Sequence, residues 1–275
     1  MTNLFNYLPR NSPVHLLTGA TKLAALLLLS FAGMTTFDTR LLAVLVVFSF
    51  SMFAVSKIRL REVRVMLWFT FVFMVLNNIL IYLFSPEEGV GIYGTRHEIC
   101  HLFLRYYLTR EQLFYQLNVI LKYLAMIPLV ILFVYTTNPS EFAASLNRLG
   151  VSYKIAYSVA LALRYIPDIQ REYHDISLSL QARGIEMTKK ERFGKRLKNA
   201  ATILFPLILT SMQKIEVVSN AMELRSFGKS KRRTWYMANP FRFADYAVMI
   251  GCALMLLVSI ALTAVNGGRF YNPFM

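Results

Sequence analysis

The sequence predicts an all-α polytopic membrane protein, with about five transmembrane helices followed or interrupted by long amphipathic helices on the cytoplasmic side. Three observations predict it. The 275 residues are 56% hydrophobic, more apolar surface than a soluble domain of this length buries. The apolar residues fall in continuous runs close to the ~20 residues that cross a bilayer. Between the last two runs the pattern changes, and apolar residues recur at three- and four-residue steps among charges.

The continuous runs cover Val14 to Met34, Leu41 to Val55, Val65 to Phe84, Gln116 to Tyr135 and Phe243 to Val265. The second is short and extends into its flanks. The first is long and is followed at once by another, so it reads as a retained span and not as a cleaved signal. Asn77 and Asn78 lie deep in the third run, where an amide needs a partner, and helix-to-helix bonding is the expectation. Cys100 and Cys252 lie in different regions and suggest neither a disulfide framework nor metal-ligand spacing.

Lys and Arg number 30 against 15 Asp and Glu, a balance that invites a nucleic-acid partner. The placement of the charge excludes that class. Residues 136–242 hold 18 Lys and Arg and 8 Asp and Glu, which is +10 of the total +15. SKIRLREVR adds Lys57, Arg59, Arg61 and Arg64, whereas residues 85–115 are balanced. Cytoplasmic loops carry the excess of Lys and Arg, so the N-terminus and residues 136–242 are expected inside, with residues 85–115 and the C-terminus outside. Three regions follow: N-terminal transmembrane helices over 1–135, a cytoplasmic helical region over 136–242, and a last transmembrane helix with its tail over 243–275.

Residues 136–242 divide into three helices. Asn138, Pro139 and Glu141 make a helix start, and Gly150 a stop. A second helix begins near Ser152, repeats apolar residues from Ile155 to Leu180, and ends at Gly184, with Pro167 expected to kink it. A third runs from about Glu191 to Arg225. Its apolar middle, ATILFPLILTSM, is shorter than spanning requires and is expected to pack on other helices or the membrane surface.

Both long helices finish in an arginine followed by a helix-stopping glycine, Gly184 directly after Arg183 and Gly228 three residues after Arg225, with the two arginines 42 positions apart. An arginine near a helix C-terminus complements the dipole, and glycine caps helices routinely. The recurrence inside one basic block is what sets the pair apart. The phrases TTNPSEFAASLNRLGV (136–151), ALRYIPDI (162–169), QARG (181–184) and AMELRSFGKSKRRTWY (221–236) resemble the transmembrane T component of energy-coupling factor transporters, the EcfT and CbiQ family. Four motifs in the right order carry the resemblance, over about half of the chain.

The resemblance implies a non-catalytic coupling subunit of an importer for vitamins or metal ions, with no cofactor of its own. Its implied partners are two ABC-type ATPase subunits, a membrane-embedded substrate-binding S component and the lipid bilayer of a prokaryotic cell. In that family two Ala-Arg-Gly motifs end the coupling helices, and each arginine docks into a groove on one ATPase. Ala182-Arg183-Gly184 matches in full; Leu224-Arg225-Ser226 keeps only the arginine, and serine changes the backbone freedom after it. The basic run Lys189, Lys190, Arg192, Lys195 and Arg196 reads either as a turn facing anionic headgroups or ATPase surface, or as a solvated loop. The resemblance leaves the substrate open, because the S component supplies specificity.

Two other motifs point elsewhere. HEICH, His97 to His101, matches the H-E-x-x-H pattern of zinc proteases, which needs both histidines on one helix face. Thr95 and Glu98 also form a capping-box pair, which predicts a short amphipathic helix over RHEICHLFLRYYL and no metal site. Gly228-Lys229-Ser230 lacks the first glycine of a phosphate loop, so ATP hydrolysis belongs on partner chains. A self-contained secondary carrier is the competing class; Lys22 and Lys122 are its few candidates for mid-membrane charges, and no internal repeat supports it.

Overall fold

Helix caps and apolar runs fix the order of elements from the N-terminus. The computed structural model describes residues 10, 12–103, 106–184, 193–229, 234–235 and 239–274. Lys189, Lys190 and Arg192 lie outside them, and of Lys195 and Arg196 only the helical backbone is described. The chain divides into two compact units: Leu4–Asn138 with Asn239–Met275, and Pro139–Ala238.

In the first unit α1 (Pro13–Leu16) leads to α2 (Gly19–Thr35) and α3 (Thr39–Val55), capped by the side chains of Thr18 and Asp38, which accept from Thr21 and Arg40 N–H groups. Then come α4 (Leu60–Phe84), the short α5 (Glu88–Tyr93), a hairpin of β1 (Glu98–Phe103) and β2 (Tyr106–Thr109), and α6 (Arg110–Thr136). The second unit holds α7 (Pro139–Arg148), α8 (Tyr153–Ala182) and α9 (Phe193–Leu224). Helix α10 (Phe243–Val265) returns to the first unit.

Among the described residues four helices are long and apolar enough to cross a membrane: α4, α6, α10 and the Asn199–Leu224 part of α9. The last corrects the expectation that the third basic-region helix is too short to span; its apolar stretch continues past ATILFPLILTSM through Ile215 and Val217. Helices α2 and α3 have 17 residues each, about 26 Å, slightly under the ~30 Å hydrocarbon thickness. This is an all-α polytopic membrane protein.

Helix α6 is the centre of the first unit. Helices α2, α3, α4 and α5 all pack on it, and α10 packs on α2. One apolar cluster joins Leu29, Leu42, Leu45, Ala125 and Cys252; a second joins Val14, Ile58, Val63, Ile131 and Tyr135. Gly89 of α5 lies against the α6 backbone so closely that a Cβ there would stand 2.5 Å from the Glu111 carbonyl. Its N–H donates to Gln112 Oε1 at 2.8 Å. Asn78 bonds its own helix, Nδ2 to the Met74 carbonyl at 2.9 Å, while Gln116 Nε2 donates to its backbone carbonyl across the α4–α6 contact. The helix-to-helix bond expected of the Asn78 side chain is not made: its Nδ2 stays within α4, its buried Oδ1 meets no partner among the described residues, and the bond across the contact ends on its backbone.

Both candidate mid-membrane lysines bond carbonyls at helix ends, although Lys122 itself stands midway along α6. Lys22, in the first turn of α2, donates to the Thr136 carbonyl at 2.9 Å and so caps the C-terminus of α6. Lys122 donates to the Met34 carbonyl near the end of α2 and lies 3.2 Å from the centroid of the Phe37 ring. At the same end the C-terminal tail is tied down: Phe37 N–H donates to the Arg269 carbonyl at 2.7 Å, Phe270 stacks on Phe37 at 4.5 Å, and Asn272 donates to the Tyr93 carbonyl.

HEICH does not form a helix. Glu98 to Phe103 is a strand paired antiparallel with Tyr106 to Thr109, so the capping-box reading is corrected. Glu98 pairs with Arg96 at 2.8 Å, and the carboxylate that organises the segment is the buried Glu111. It accepts from His97 N–H, His97 Nδ1 and Thr95 Oγ1 at 2.6–3.1 Å, bonds from another helix that local periodicity does not reveal. Residues 97 and 101 on an extended chain stand about 13 Å apart, too far for one zinc ion. No cluster of three metal-ligating side chains occurs among the described residues.

Candidate functional site

The second unit is a helical hairpin whose ends carry the two arginines. Pro139 opens α7, and Gly150, at φ +100°, closes it. The Val151 N–H reaches back to the Leu146 carbonyl at 3.0 Å, and the Asn147 side chain donates to the Val151 carbonyl, fixing the corner into α8. Ser152 then caps α8 by accepting from Ile155 N–H. Both α8 and α9 are continuous through their internal prolines, Pro167 and Pro206.

The two long helices run antiparallel. Lys214 of α9 bonds Glu172 of α8 at 2.9 Å, and that ammonium holds the Glu172 carboxyl below the usual carboxylate range. Nearer the start of α8, Phe227 packs on Tyr157 with ring centroids 4.5 Å apart and on Tyr153 at 5.6 Å. Trp235 joins the same cluster, and its indole N–H donates to Asn147 Oδ1 at 3.1 Å. The segment after α9 is therefore pinned to the beginning of α8 and to the end of α7. Sequence reasoning missed this aromatic lock, because its partners are about 80 positions apart and nothing local pairs them.

Arg183 and Arg225 lie at opposite ends of this hairpin. From Tyr157, beside Phe227, to Arg183 there are 26 residues of α8, about 39 Å along the axis. Ala182, Arg183 and Gly184 are all exposed where α8 stops; Arg183 is its C-cap at φ −89°, ψ 11°, and Gly184 follows at φ +80°. Their N–H groups bond the Leu180 and Gln181 carbonyls at 3.0 and 2.9 Å. At the other end Leu224 is 87% exposed and Arg225 exposed, while Ser226 and Phe227 are half-buried. Ser226 takes φ +55° and donates its N–H to the Glu223 carbonyl at 2.8 Å, and Phe227 N–H closes on Met222.

The serine thus adopts the left-handed turn that glycine adopts in the first motif. A left-handed backbone costs an L residue about 1 kcal/mol, which the aromatic packing of Phe227 offsets. Each arginine is presented on a sharp turn, preceded by an exposed apolar residue. An arginine so placed offers a planar fork able to make two parallel hydrogen bonds to a carboxylate.

The hairpin also leaves apolar surface uncovered. On α9, Phe205, Ile208, Met212 and Ile215 are 56–67% exposed, and on α8 Ile155 and Leu178 are at least half exposed. Such a stripe is suited to lipid or to a membrane-embedded protein.

The family model described as CbiQ, cobalt transport protein, matches residues 10–236. An energy-coupling factor transporter transmembrane protein EcfT from Thermanaerovibrio acidaminovorans is 30% identical over 248 residues, 84% of this chain and 85% of that protein. The EcfT of Bacillus selenitireducens is 28% identical over 94% of both chains. The match to EcfT of Listeria innocua, 27% identical, spans about half of each, 49% of this chain and 53% of the relative. With the family match covering most of the chain and the relatives aligning nearly end to end, this chain belongs to the CbiQ family, the transmembrane T components of energy-coupling factor transporters.

Proposed function

We propose that the chain is the mechanical coupling subunit of an importer, without catalytic activity of its own. It passes the ATP-driven movement of two ABC-type ATPase subunits to a membrane-embedded S component that binds a vitamin or a metal ion. The observation that carries this reading is the pair of exposed arginines on matching turns at the two ends of one helical hairpin, about 39 Å apart. That separation suits two docking points on two subunits better than one bidentate site.

The mechanism is rigid-body transmission. An arginine inserted in a groove and bonded to a carboxylate fixes its helix end to the subunit that supplies the groove. When the two ATPases close, the docked helix ends move with them and the hairpin shifts and tilts as one body. Its uncovered apolar stripe is the surface on which the S component would ride. The Lys and Arg distribution supports a cytoplasmic N-terminus and a cytoplasmic region over 136–242 in a prokaryotic plasma membrane, with the Asn199–Leu224 part of α9 apolar enough to enter the bilayer from it. A self-contained carrier is less well supported, since Lys22 and Lys122 serve helix ends.

The test is affinity purification of the intact chain from its native membrane in mild detergent, with an Arg183→Ala/Arg225→Ala variant beside it. Two ATPases and a small membrane protein recovered with the intact chain, and ATPases absent with the variant, support the proposal. An intact chain recovered alone overturns it.

A further inference from the structure

The α3–α4 turn carries four cations over an apolar groove. Lys57, Arg59, Arg61 and Arg64 are all exposed, and among the described residues no carboxylate pairs with any of their side chains. The nearest acid in sequence, Glu62, is already paired with Arg10 at 2.6 Å. Arg10 also donates to the Lys57 carbonyl, and Lys57 sits at φ +60°. The turn is closed beneath by buried Ser56, whose hydroxyl donates to the Phe53 carbonyl at 2.6 Å. The cations therefore stand on a fixed turn and not on a loose loop.

Directly below is a groove of about 220 Å³ between α3, α4 and α6. It is lined by apolar side chains alone, among them Phe50, Phe53, Leu60, Phe71, Leu124 and Ile131. Leu60, 65% exposed at its mouth, lies between Arg59 and Arg61 in sequence, so charge and groove share one element. On α4 the lining runs from Leu60 to Met74, about 21 Å, while one leaflet of hydrocarbon is about 15 Å deep. Water gains nothing in such a channel, and neither does a free phosphate. An acyl chain fits it in length and polarity, and a negative headgroup fits the cations above.

We infer that the Lys57–Arg64 turn and the α3–α4–α6 groove form a binding site for one anionic phospholipid, headgroup on the cations and one acyl chain along the groove. Lipid so held would wedge α4 at a set distance from α3, since α4 touches the rest of its unit chiefly through α6. It would also fix the end of α4 that lies next to Tyr135, where α6 hands over to the second unit; Tyr135 donates to the Glu62 carbonyl at 3.5 Å.

The test is native mass spectrometry of the full chain in mild detergent with added palmitoyl-oleoyl phosphatidylglycerol or palmitoyl-oleoyl phosphatidylcholine. The site predicts one tightly retained phosphatidylglycerol, at about tenfold or more over phosphatidylcholine. Arg59→Gln/Arg61→Gln/Arg64→Gln removes the preference, and Leu60→Trp, which narrows the mouth and keeps every charge, lowers retention of both. Circular dichroism confirms that each variant stays helical. Equal retention of the two lipids by the intact chain overturns the site outright, with no variant needed. A phosphatidylglycerol preference that survives the triple substitution, or lipid retention that Leu60→Trp leaves unchanged, overturns it as well, the latter by reducing it to surface attraction.

Discussion

Gly184 and Ser226 occupy the same position relative to their arginines and share the left-handed backbone, at φ +80° and φ +55°. The second motif thus keeps the turn of the first without its glycine. A glycine pays nothing for that conformation and a serine pays about 1 kcal/mol, so the second turn depends on its neighbours.

Ser226→Gly is therefore expected to preserve or slightly strengthen the α9 end, by up to about 1 kcal/mol, whereas Ser226→Val weakens it by more, β-branching being poorly tolerated at positive φ. Gly184→Val does the same at α8. Thermal melts in detergent check the order Gly above Ser above Val at 226.

Phe227→Ala removes the ring that touches Tyr157 and Tyr153. A loss of about 2–4 kcal/mol is expected, the range for a large, half-buried aromatic. Faster hydrogen exchange confined to the end of α9 and the start of α8 checks it. Exchange that rises evenly over the hairpin would show that the lock is not local.

Glu172 and Lys214 form a surface pair whose coupling is expected at about 0.2–1 kcal/mol in a double-mutant cycle. The Lys214 hydrogen bond lowers the Glu172 carboxyl in the folded chain. Its contribution is then complete above the unfolded carboxylate value and is lost as pH falls through the lower folded value. Melting of Glu172→Gln should match the parent in acid and fall below it near neutrality.

Gly89→Ala brings a methyl to within 2.5 Å of the α6 backbone, which cannot give as a side chain can. A destabilisation of about 1–3 kcal/mol is expected, the cost of overpacking, and it should appear as a lower melting temperature. Gly91→Ala, with open space at its Cβ, serves as the control and should melt with the parent.

The helices of the second unit were legible because their signals are local. Asn138 with Pro139, Ser152 and Gly184 mark starts and stops within a turn of where they occur, and the apolar steps from Ile155 to Leu180 give the face. The hairpin over Glu98–Thr109 was not legible, because Glu111 imposes it from another helix through Thr95 and His97. The tail on Phe37 escaped for the same reason: Arg269 and Phe270 reach a partner more than 200 positions away. At the candidate site the arginines were visible as a recurrence, but the common turn was not, since serine seldom adopts positive φ and only the lock around Phe227 explains it.

The most direct measurement is the affinity of a purified ATPase pair for the chain in nanodiscs, compared for the parent, Arg183→Ala, Arg225→Ala, the double variant and Arg183→Lys. Each alanine is expected to cost about 2–5 kcal/mol, because a buried carboxylate loses its partner. The double variant should lose both, as sites about 39 Å apart act independently, and lysine should fail to restore the fork. Unchanged affinity in the double variant would contradict the account and leave Arg183 and Arg225 as ordinary helix ends.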